Sequence, residues 1–97
     1  MKPIYQFDTA LACKYGVEQA ILIDFLNYAL DRGTFFNQKL LDGKVWMCLQ
    51  LDELEVYLQF WQGAYISKLL TSLIYHGVLA KRKLPELGRA DSFAFVD

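Results

Sequence analysis

The feature that most constrains this chain is a corner. Two patterns of helical period, "LDELEVYLQF" (residues 51–60) and "AYISKLLTSLIYHG" (64–77), meet across "FWQG" (60–63), and the second runs without a linker into "VLAKRKL". Ile66, Leu69, Leu70, Leu73 and Ile74 recur at spacings of three and four, which places them on one buried helical stripe. Gly77 stops that helix. "VLAKRKL" and "SFAFVD" then alternate as strands, joined by a turn over Pro85–Gly88. Two helices at a tight corner followed by a hairpin predict a helix-turn-helix with a wing.

Upstream, Asp8 can cap a short helix over "TALACKY" that ends at Gly16. "VEQAILIDFLNYALDR" follows, with one apolar stripe at Val17, Ala20, Ile21, Phe25, Tyr28 and Ala29. Leu22, Leu26 and Leu30 form a second stripe, so most of this helix's circumference is expected to be covered. "GTFFNQKLLDGK" loses the helical period and reads as a long loop ending in an Asp42-Gly43 turn. "VWMCLQ" reads as one short strand, rich in β-formers. The expected architecture is mainly α with a small β-sheet (α+β): a winged helix-turn-helix with an extra N-terminal helix, forming a single domain over residues 1–97.

Composition supports folding into one core: 55% of residues are hydrophobic and 15% aromatic, with only two prolines. Net charge is −1, which is unlike a chain dedicated to nucleic acid. The charge is divided, however. Residues 1–60 carry five basic and eight acidic groups, whereas residues 61–97 carry five basic groups against Glu86, Asp91 and Asp97. An anion-seeking surface therefore belongs to the last third. Cys13 and Cys48 have no metal-ligand spacing and are expected to be reduced, buried packing residues of a cytoplasmic protein. No apolar run is long enough to span a membrane, and none resembles a secretion signal.

Three stretches carry a resemblance: "ALACKYGVEQAILIDFLNYAL", "DGKVWMCLQLDELEVYLQFW" and "ISKLLTSLIYHGVLAKRKL". Together, over about residues 10 to 96, the chain resembles the winged-helix domain of phage replisome organisers and DnaD-like primosomal replication proteins. The matching features are the small-residue helix ending in Gly16, the Asp42-Gly43 turn before a Trp-bearing strand, the Phe60-Trp61 pair at the corner, and a final helix ending in "GVL". The resemblance implies non-enzymatic binding of duplex DNA within a phage or prophage replication module. Two departures stand out. The family's second corner helix opens on Ser or Thr and carries several cations, whereas this one opens on Gln62 or Gly63 and carries only Lys68. Larger family members also continue into a further domain.

The candidate DNA-binding residues follow from these elements. On the helix over 63–76, Ser67, Lys68, Thr71, Ser72 and Tyr75 lie opposite the apolar stripe, where groove contacts would be made. On the wing over 78–96, Lys81 and Lys83 share one side of a strand and Arg82 takes the other, while Arg89 is expected near the hairpin tip. Such a patch offers two or three phosphate contacts. His76, the only histidine, abuts the helix stop, where a dipole-related capping role outweighs catalysis. Asp52, Glu53 and Glu55 open the first corner helix and complement its dipole; without a neighbouring His or Cys they do not suggest a metal site. No catalytic motif, cofactor motif or metal-ligand set is recognisable. Tyr5, Phe7, Phe35-Phe36 and Phe60-Trp61 are expected to plug the core. The alternative reading is a protein-binding winged helix that docks a host or phage replication or defence protein through aromatic and acidic surfaces. A homodimer through the long apolar helix is expected under either reading.

Overall fold

The structure, a computed structural model, describes residues 9–32 and 37–96. They form two compact units, divided between Phe35 and Phe36. The architecture is α+β, with four helices and one four-stranded antiparallel sheet among the described residues. The expected Asp8 cap, and the aromatics Tyr5, Phe7, Phe35 and Phe36, lie outside the described residues.

The first unit is a pair of packed helices, α1 (Thr9–Tyr15) and α2 (Val17–Arg32). One residue joins them. Gly16 donates its amide to Ala12 O at 2.8 Å, closing α1, and its carbonyl accepts from Ala20 N at 3.0 Å, opening α2. Ala20, Leu22, Ile23, Phe25, Leu26 and Ala29 are buried along α2, so both expected stripes contribute. Val17 and Tyr28 do not follow that expectation and are about half exposed. Cys13, expected to be buried, is also exposed, because the seven-residue α1 is too short to cover its own outer face and has no fully buried residue.

The second unit opens with a hairpin that the sequence pattern did not reveal. β1 (Gln38–Leu41) pairs antiparallel with β2 (Lys44–Cys48), and Leu41 faces Lys44 across a two-residue turn. Asp42 and Gly43 both take positive φ, 55° and 76°, which is the type I′ geometry that matches strand twist. β1 lacks alternation because its Lys39 and Leu40 are both exposed, so pairing rather than burial defines it.

α3 (Leu51–Tyr57) ends three residues short of the expected Phe60, since the chain turns at Leu58, which is fully buried. α4 (Gly63–Tyr75) then begins with Gln62 as N-cap, and the Gln62 side chain makes no capping bond. Ile66, Leu69, Leu70 and Leu73 are buried on α4, which packs on α3 and on the next strand, β3 (Leu79–Arg82). The helix is stopped by bonds from Gly77 N to Ile74 O and from Val78 N to Leu73 O, a Schellman closure.

β4 (Ser92–Phe95) lies between β2 and β3, giving the order β1-β2-β4-β3. Strand alternation divides the sheet. Met47, Phe93 and Lys81 line up across it, with Leu79 opposite Phe95 on the same face. The other face holds Trp46, Cys48 and Ala94, and the residues between β3 and β4 fold back over it. Leu84 and Leu87 complete this small core, so the wing is a packed arm rather than an extended loop. The Trp46 indole donates to Leu41 O at 3.1 Å, and the Asn37 amide donates to Leu87 O at 2.7 Å, tying the arm to the β1 end of the sheet.

Candidate nucleic-acid interface

Folding the arm back has a consequence for charge. Lys81 and Lys83 project from the side of the sheet opposite the small core, beside the outer edge of α4. Arg89, just past the turn at residues 85–87, reaches the same space. An open cleft of about 610 Å³ lies there, lined by Ser67 and Thr71 of α4 together with Lys81, Lys83 and Arg89. Leu70, Ile74 and Phe93 contribute apolar lining to the same cleft. Five of the eight residues singled out from the sequence therefore converge. Lys68, Ser72 and Tyr75 do not line the cleft. They lie farther round the outward arc of α4, and Tyr75 is 86% exposed with its ring edge-on to His76.

Arg82 leaves the site, as strand alternation requires. Its guanidinium meets Asp42 at 2.9 Å and lies 5.9 Å from the Trp46 ring centre, on the far side of the sheet. Thr71 is also partly committed, because its hydroxyl donates to Ser67 O at 3.0 Å and so offers a ligand only its oxygen.

Two carboxylates line the cleft that the sequence reading did not include. Asp52 contributes from the first turn of α3, with Oδ1 accepting from Glu53 N at 3.0 Å. Asp91 stands between the lysines, its oxygens 3.4 Å from Lys83 Nζ and 3.8 Å from Lys81 Nζ. Three cations against two carboxylates leave the cleft with one net positive charge. The Asp91 position was legible only through hairpin register: Lys81 faces Phe93, so continuing the pairing carries Lys83 to Asp91. Without the length of the arm, that register cannot be set.

Behind the cleft, burial pushes the Cys48 thiol up from its ordinary pKa, against a smaller lowering influence of the Ala90 backbone; the thiol donates to Ala90 O at 3.6 Å. On the arm's outer surface the Glu86 carboxyl is held below its ordinary range, first by a backbone amide and then by Lys39, 3.1 Å away. His76 is exposed at the end of α4, away from the cleft. Among the described residues no group of three or more His, Cys, Asp or Glu could hold a metal ion. No described helix is long and apolar enough to cross a membrane. Comparison of the chain with protein-family models, curated proteins and solved structures finds no match.

Proposed function

We propose that this chain is a non-enzymatic winged-helix protein that binds duplex DNA, in a phage or prophage replication setting within the cytoplasm. The strand–helix–helix–hairpin order and the β2-β4-β3 pairing support the winged-helix reading. The observation that carries the DNA reading is the convergence of Ser67 and Thr71 with Lys81, Lys83 and Arg89 on one open cleft. A helix edge beside a cationic strand suits a phosphate ridge, with α4 directed to the groove and the arm to the backbone. The replication setting rests on the sequence resemblance alone.

The charge makes this a weak, salt-sensitive binder. With about two to four phosphates neutralised, log K should fall against log salt with a slope of roughly −2 to −4. Non-specific binding of that kind has a Kd on the order of 10⁻⁵ M. Lys81→Glu with Lys83→Glu should abolish a gel shift seen with wild type at low salt. No shift by wild type at tens of micromolar protein refutes the DNA reading.

A second reading draws support from α3 and the corner. Val56 and Phe60 are 64% and 50% exposed, and Asp52 and Glu55 are exposed on the same short helix and its flank. An apolar pair beside acids suits a protein partner with a basic rim. Under that reading Phe60→Ala with Val56→Ser abolishes complex formation with a replication or defence protein, and the lysine substitutions leave it unchanged. A homodimer remains part of either reading, and light scattering tests it directly.

A further inference from the structure

We infer that Asp91 is a built-in competitor for phosphate, occupying Lys81 and Lys83 and so setting the affinity of the cleft from within. The inference rests on the DNA-backbone reading above. Each Asp91 oxygen faces one lysine, Oδ1 toward Lys83 and Oδ2 toward Lys81. A phosphodiester presents a similar pair of anionic oxygens, so the two ligands seek the same ammonium groups.

The carboxylate is the fixed member of this set. Leu49 N donates to Asp91 O at 3.2 Å, and the next residue, Ser92, is fully buried at the start of β4. The lysine side chains are 52% and 78% exposed, whereas that of Asp91 is 33% exposed. The lysines can therefore swing toward an incoming phosphate while Asp91 stays behind. Binding then replaces a lysine–carboxylate contact by a lysine–phosphate contact and leaves an uncompensated carboxylate near a second anion. Both effects oppose association. Arg89 has no ion pair among the described residues, so it is the cation that a phosphate meets without competition.

Asp42 supplies the control. It pairs with Arg82 at 2.9 Å on the other side of the sheet, so Asp42→Asn changes the net charge as Asp91→Asn does, but away from the cleft. The experiment is fluorescence anisotropy of a short labelled mixed-sequence duplex over a salt series. The proteins are wild type, D91N, D42N and Lys81→Gln with Lys83→Gln. Circular dichroism checks each fold, and Asp91→Ser is a second neutral variant in case the amide disturbs the arm. D91N should bind roughly three- to tenfold tighter at low salt, with a salt slope steeper by about one. D42N should change affinity by about twofold or less, because its charge lies on the far face and is screened. If D91N and D91S match D42N while the lysine pair abolishes binding, the role of Asp91 is refuted and the DNA reading stands. If no variant binds, or the lysine pair binds as wild type does, the DNA reading fails and this inference fails with it.

Discussion

Replacing Gly88 by alanine tests how the arm between β3 and β4 is pinned to the sheet. Gly88 has φ of +151°, and a Cβ built on it would lie 2.9 Å from Cys48 Sγ. The first effect is intrinsic to the backbone and costs about 1–3 kcal/mol for an L side chain. The second is overpacking against a buried sulfur, which typically costs about 1–3 kcal/mol. Sγ has little freedom to yield, since it is bonded to Ala90 O and buried in one cluster with Trp46, Leu84 and Leu87. Gly88→Ala should therefore destabilise by about 2–5 kcal/mol, a large fraction of the total for a chain this size. The two parts separate in a double-mutant cycle. Cys48→Ala removes the sulfur, so in that background Gly88→Ala retains the backbone cost and loses the steric one. The coupling should be about 1–2 kcal/mol in the direction of rescue. Urea unfolding followed by tryptophan fluorescence measures it, because Trp46 lies in this cluster. Additivity within about 0.5 kcal/mol would show that arm and sulfur do not meet and would refute the packed-arm geometry. Arg89 follows Gly88 directly, so the same substitution should also weaken anion binding by the cleft.

Two further outcomes rest on burial. Leu73→Ala, at a fully buried position on α4, should destabilise by about 2–5 kcal/mol in urea unfolding; a loss below about 1 kcal/mol would mean that α4 is not seated as described. The thiols should differ sharply: Cys13 is exposed and should react with a thiol reagent in the native state, whereas Cys48 should react only on unfolding. The Cys48 pKa is raised in the folded state, so its contribution is present below the unfolded value and lost as pH rises. Stability should therefore fall as pH passes the ordinary thiol value of 9.0, and Cys48→Ala should remove that part of the fall.

Much of the helical structure was legible because period and stop signals agreed. The pattern from Val17 to Arg32 gave α2 at both ends, and the Ile66–Leu73 stripe with Gly77 gave α4. The missed elements have physical explanations. β1 has no buried face to impose alternation, so only its partner and the Asp42-Gly43 turn make it a strand. α3 falls short because Leu58 turns inward to the core, which composition cannot reveal. In the cleft, strand parity correctly separated Lys81 and Lys83 from Arg82, but helix period alone could not divide the polar arc of α4. Only the position of the arm determines that Ser67 and Thr71 line the cleft and that Lys68, Ser72 and Tyr75 do not.

By itself, then, the sequence determined what local interactions control: the helices, the stops marked by Gly16 and Gly77, and which side of a strand each cation takes. Tertiary structure decided what depends on residues far apart along the chain. Leu84 and Leu87 are drawn over Trp46 and Cys48 by apolar burial, and this folds the arm back onto the sheet. That folding places Asp91 between two lysines and brings Arg89 beside α4. The cation cluster is written in the last third of the chain, but its partial neutralisation exists only because the hairpin register sets a carboxylate opposite it.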